Sequence, residues 1–158
     1  MDQPETLARI HAAFAAHGVG PDRIVVLGKT SRHDHLLAYG RIDLQLDPFP
    51  HGGGVTAVEG LLMGVPCLTL RGDRQSGRVA ASFLTTLGLA DLVAESLDEY
   101  VAIACRLAAD LGRLSHERST LRERLLASPI VNREAYTRAV EGAYRTLWRR
   151  WCAEQTTG

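Results

Sequence analysis

The sequence predicts an α/β protein, a parallel sheet wound with helices and followed by a helical tail. Short apolar runs at 23–27, 42–47 and 66–70 each lead through a turn or loop into a segment with helical spacing. From about residue 96 onward the strand-like runs stop and only helical patterns remain. With 158 residues, 46% apolar and 23% charged, the chain can bury a sizeable core and has an ordinary globular composition. The expected organisation is therefore a sheet domain over 1–95 and C-terminal helices over 96–158.

In order, Leu7, Ile10, Ala13 and Phe14 are spaced as one face of a first helix, which Gly18 stops. "RIVVL" at 23–27 is rich in β-branched residues and predicts a strand buried on both faces. A short helix follows, opened by Ser31 and Asp34 in capping-box positions. "IDLQLD" at 42–47 predicts the second strand, 48–54 a loop, "VTAVEGLLMG" a helix closed by Gly64, and "PCLTL" at 66–70 the third strand. Val79, Phe83 and Leu87 share a face of the next helix. Ser96 and Glu99 form a capping box for a helix striped by Leu97, Val101, Ala104, Ala108 and Leu111. Leu114, Leu121 and Leu125 continue into a helix that ends before Pro129. The last helix carries Tyr136, Val140, Tyr144, Leu147, Trp148 and Trp151 as apolar anchors. Three strands are few beside the roughly five or six of a doubly wound sheet, and these aromatics exceed what three short strands can cover.

Composition excludes some functions. Basic and acidic residues balance at 18 each, so no net field draws nucleic acid or anionic lipid. The three cysteines, Cys67, Cys105 and Cys152, form no zinc-type pair and read as reduced, mostly buried thiols of a cytoplasmic protein. No apolar run approaches the roughly 20 residues of a membrane span.

The chemistry concentrates at 48–54. Ligands of parallel sheets bind where strands run into helices, and Gly52, Gly53 and Gly54 occupy such a junction. A backbone without side chains there allows close approach. The amides of Val55, Thr56 and Ala57 would lie at the positive end of a helix dipole, which favours phosphate. Glu59, a turn further on, suits a ribose diol better than a phosphate. A flexible turn and a solvated acid account for the same residues. "KTSRHDH" follows the first expected strand, where Arg32 could meet phosphate and His35 could stack on a base. A metal held by His33, Asp34 and His35 is disfavoured, since residues two apart on a helix diverge. His51 is either a ligand-lining group or a turn residue.

The block from "HLLAYGR" through "LDPFPHGGGVTAVEGLLMGVPCLTL" to "SGRVAASFLTTLGLADLVA" resembles the C-terminal catalytic lobe of the O-linked N-acetylglucosamine transferase family, including the SPINDLY proteins. The likeness continues through "YVAIACRLAADLGRL", "LRERLLASPI" and "YRTLWRRWC". It implies the C-terminal, Rossmann-like half of a GT-B glycosyltransferase. Such enzymes transfer a sugar from UDP to protein serine or threonine with inversion and without a metal. Carried over, Thr30 and Arg32 flank the uridine and His35 packs on the uracil. Gly53, Gly54, Val55 and Thr56 hold the diphosphate, and Glu59 contacts the ribose. Ser76 and Arg78 match a block expected to be structural.

The sequence departs from the family pattern in places. Val55 stands where the family usually has a hydroxyl residue, and Ala38 where some members have arginine. The N-terminal lobe with its acceptor groove and catalytic base is not in this sequence, so no residue here is assigned as catalytic. Nor is the family lysine that reaches the diphosphate, and Lys29 lies in another segment. The implied ligand is UDP or a UDP-sugar, UDP-GlcNAc in particular, with no further cofactor and a protein acceptor only alongside the other lobe. SPINDLY-like members use GDP-fucose, which leaves the base open. The alternative is a non-catalytic nucleotide-sugar-binding or interaction module.

Overall fold

The computed structural model describes residues 4–155, which divide into two compact units, one through Ala38 and one from Tyr39 onward. Its elements are α1 (Pro4–Ala15), α2 (Arg32–Ala38), β1 (Gln45–Leu46), α3 (Val55–Leu62), β2 (Cys67–Leu70), α4 (Val79–Thr86), β3 (Val93–Ala94), α5 (Leu97–Ala109), α6 (Leu111–Ala127) and α7 (Arg133–Gln155).

In the first unit, α1 ends as expected. Gly18 adopts φ +75°, which lets its N–H reach Ala15 O and the Val19 N–H reach Phe14 O. The expected strand at 23–27 does not form. Arg23 closes a 3-10 turn, residues 24–31 are irregular, and Val25 and Leu27 are exposed. A strand exists only through its ladder, and the sheet found among the described residues is β1, β2 and β3. At α2 the Asp34 N–H donates to Ser31 Oγ at 3.1 Å, and the Ser31 hydroxyl donates to Asp34 Oδ2 at 2.7 Å. The cap is present, with the carboxylate holding the serine hydroxyl.

In the second unit the sheet runs in the order β1-β2-β3, all parallel. β1 and β2 lie inside the expected runs, trimmed at their ends. β3 was not anticipated: Val93 and Ala94 pair with Thr69 and Leu70 and are buried. The core is aliphatic, with Leu61, Leu68, Leu84, Leu92, Leu107, Leu121 and Leu125 fully buried. Burying each such leucine stabilises the fold by about 1.5–3 kcal/mol.

α3 ends in a left-handed cap at Gly64, φ +80°, with the Val65 N–H on Gly60 O and the Gly64 N–H on Leu61 O. On α5 the buried face is Ile103 and Leu107, with Tyr100 and Ala104 packed beside them. The expected stripe is wrong at Leu97, Val101, Ala108 and Leu111, which are exposed. Both stripes have helical spacing, so only the position of the sheet separates them. Asp110 breaks the helix there and caps α6, accepting from the Arg113 N–H at 2.9 Å. Leu114, Leu121 and Leu125 of α6 are buried as expected. None of the residues of α7 is buried; Tyr136, Tyr144, Leu147, Trp148 and Trp151 are exposed, and the two tryptophan rings stack at 5.1 Å.

Candidate functional site

β1 delivers the chain to Asp47 at the C-terminal edge of the sheet, where Asp47 N–H donates to Leu68 O at 2.9 Å. Asp47 is buried, and its carboxylate is fully engaged. Oδ1 accepts from the Gly53 N–H at 2.6 Å, and Oδ2 accepts from the Thr69 hydroxyl at 2.7 Å. The loop therefore folds over a carboxylate, which the first two glycines approach closely. A Cβ on Gly52 would lie 2.7 Å from Asp47 Oδ2. One on Gly53 would lie 2.7 Å from Thr56 Oγ1 and 3.1 Å from Asp47 Oδ1. A Cβ on Gly54 would meet Val79 only at an ordinary 3.9 Å.

The loop is braced on two further sides. Gly52 N–H donates to Ser76 O at 3.1 Å, and Arg78 Nε donates to Gly72 O at 2.8 Å, closing the neighbouring loop on itself. The Ser76 contact is made by its backbone and the Arg78 contact by its side chain. The Tyr100 hydroxyl donates to Asp47 O at 3.1 Å, while its ring meets Phe49 edge-on at 5.6 Å. Burial, with Cys67 and Asp47 nearby, pushes the Tyr100 phenol up to about 12. The Phe49–Pro50 peptide bond is cis.

From this loop α3 begins at Val55. Gly54 is its N-cap and offers no side chain, so the amides of Val55, Thr56 and Ala57 have no acceptor within the helix. Val55 and Thr56 are exposed while Ala57 is fully buried. The Tyr39 hydroxyl donates to Thr56 O at 3.1 Å, fixing the first turn from behind. Glu59 is not a solvated surface acid: only 7% of it is exposed. Burial, and then the negative charge of Glu59, hold the Tyr39 phenol above its ordinary range.

The second unit thus brings together Gly53, Gly54, Val55, Thr56 and Glu59. Thr30, Arg32 and His35 belong to the first unit, with Thr30 and Arg32 exposed and His35 half-buried. His51 is exposed in the loop. A groove of about 300 Å³ runs along α4, lined by Arg71, Arg78, Ser82, Thr85 and Thr86 rather than by the glycines. Sequence reasoning missed Asp47. The available signal was an acid at the end of a strand, immediately before a glycine-rich loop. Among the described residues no group of three His, Cys, Asp or Glu is placed to hold a metal ion, and no helix is long and apolar enough to cross a membrane.

An exposed helix start after a glycine loop, a buried acid one turn on and a parallel sheet behind them are shared by many nucleotide folds, so comparison with known proteins decides among them. The model of glycosyl transferase family 41 matches residues 4–140. The chain belongs to this family. Among curated relatives it is similar to the probable UDP-N-acetylglucosamine–peptide N-acetylglucosaminyltransferase SPINDLY of Hordeum vulgare, 46% identical over 76% of this chain and 13% of that protein. The Oryza sativa subsp. japonica SPINDLY is 43% identical over 89% of this chain and 15% of its own length. A solved structure of a mutant O-GlcNAc transferase from Thermobaculum terrenum superposes with a TM-score of 0.90 at 38% identity. That match covers 99% of this chain and 30% of the other.

The family 41 chain thus has the fold of the C-terminal half of a GT-B glycosyltransferase, as the resemblance implied. It spans only about one seventh of the length of these curated relatives.

Proposed function

We propose that this family 41 chain is the nucleotide-sugar-binding part of an inverting protein O-glycosyltransferase, taking UDP-GlcNAc as donor and serine or threonine hydroxyls as acceptors. The observation that carries the reading is the start of α3. Its first two residues, Val55 and Thr56, are exposed, the N-cap Gly54 supplies no side-chain cap for their amides, and a buried carboxylate lies one turn behind. Amides at a helix N-terminus are suited to the negative charge that grows on a departing diphosphate, the dominant electrostatic contribution in such transfers.

In this reading Gly53 and Gly54 let the diphosphate approach, and the amides of Val55 and Thr56 with the Thr56 hydroxyl bind it. Glu59 accepts from the ribose hydroxyls. The uridine roles of Thr30, Arg32 and His35, inherited from the resemblance, belong to the same proposal. Binding needs no metal. The catalytic base and most of the acceptor groove come from the other lobe, so this chain alone is inactive. The C-terminal helices 96–158 serve the sheet domain with one face and that lobe with the other, in keeping with the uncovered aromatics of α7. A cytoplasmic setting agrees with three cysteines that are all free thiols, although only Cys67 is buried, against the expectation that most would be.

Radiolabelled UDP-GlcNAc tests the proposal directly. The chain should retain the label in the presence of EDTA yet transfer none to a protein acceptor. No retention would remove the binding role, and transfer by the chain alone would overturn its catalytic incompleteness.

A further inference from the structure

We propose that Asp47 is a positioning residue of the diphosphate site, acting through the Gly53 amide. The inference rests on the proposed nucleotide-sugar reading and adds to it how the donor set is chosen. The Asp47 carboxylate is buried behind the loop with both oxygens occupied, one by Gly53 N–H and one by the Thr69 hydroxyl. The main chain of the same residue is pinned twice, by its own N–H on Leu68 O and by the Tyr100 hydroxyl on its carbonyl. Three contacts, two from β2 and one from α5, thus fix this residue from behind, and its remaining carboxylate oxygen grips Gly53.

Two consequences follow. The Gly53 N–H points into the protein, so it is withdrawn from the ligand, and the diphosphate is left with the amides of α3's first turn. The course of the loop into α3 is also set by the carboxylate, because a Cβ on Gly52 would lie 2.7 Å from its Oδ2 and one on Gly53 would crowd its Oδ1 at 3.1 Å. The role depends on accepting a hydrogen bond from Gly53 and engaging Thr69, not on charge. Asparagine can do both, its oxygen facing Gly53 and its amide donating to the threonine oxygen.

The test uses the whole chain, UDP calorimetry and amide hydrogen exchange at Gly53 without ligand. Asp47→Ala should expose the Gly53 amide to exchange and weaken UDP about tenfold or more, the scale of a lost buried hydrogen bond. Asp47→Asn should restore protection and bring affinity back to within about threefold of the unaltered chain, less than the effect of a single lost hydrogen bond. Thr69→Val removes only one hydroxyl. It should speed exchange at Gly53 and weaken UDP even if the alanine variant fails to fold. A folded Asp47→Ala or Thr69→Val variant with unchanged Gly53 exchange and UDP affinity overturns the proposal, and so does an asparagine variant as weak as alanine. If the unaltered chain binds no UDP, the nucleotide reading fails and the ligand role of Asp47 with it, while Gly53 exchange still decides whether the carboxylate pins the loop.

Discussion

Glu59→Gln separates a ribose contact from a merely buried acid. The side chain is 7% exposed, and glutamine fills the same volume, so packing is preserved. A charge-assisted hydrogen bond contributes about 1.5–3 kcal/mol against about 1 kcal/mol for a neutral one. Replacing the carboxylate by an amide should therefore weaken UDP by about 0.5–2 kcal/mol, or roughly two- to thirtyfold. The assay is calorimetry with UDP and with 2′,3′-dideoxy-UDP on both proteins. The unaltered chain should prefer UDP, and the variant should lose most of that preference, since only the ribose hydroxyls differ between the ligands. A second readout needs no ligand: Glu59 helps to hold the Tyr39 phenol high, so its titration should move down in the variant. An unchanged preference for UDP over the dideoxy compound would refute the ribose assignment, and an unmoved Tyr39 would refute the electrostatic contact.

Gly64→Ala should destabilise the fold without touching the site. At φ +80° an added Cβ lies 2.6 Å from the Arg118 carbonyl oxygen, and left-handed strain alone costs about 1–2 kcal/mol, so thermal denaturation should shift down by at least about 2 °C. Stability should also fall on the alkaline side. Burial raises the Cys67 thiol from 9.0 to about 12, so between those pH values the unfolded chain releases a proton that the folded chain keeps. The stability is present below pH 9 and lost as pH rises, by up to about 1.4 kcal/mol per pH unit for this one thiol. Urea melts from pH 8 to 11 should show the decline, and Cys67→Ala should flatten it between pH 9 and 10. A decline of the same steepness in that variant would assign it elsewhere.

The sequence discloses local chemistry better than pairing. The run 66–70, the glycine loop, the cap at Ser31 and the left-handed end at Gly64 are written in neighbouring residues, and the structure has them in place. Residues 23–27 carry the composition of a strand, but composition does not supply a ladder partner. Val93 and Ala94 are the reverse case. Two small apolar residues make no pattern, yet they complete the sheet because β2 offers Thr69 and Leu70 as partners. Asp47 stayed hidden for a related reason. An acid before proline looks like a turn residue, and its burial depends on a hydroxyl at Thr69, 22 residues away.

The central claim is that the start of α3 and its glycine loop hold a nucleoside diphosphate. Calorimetry of the unaltered chain with UDP, ADP and GDP, each in EDTA, tests it most directly. UDP should bind saturably, more tightly than ADP or GDP, and indifferently to the chelator. No heat of binding with UDP at millimolar concentration would contradict it.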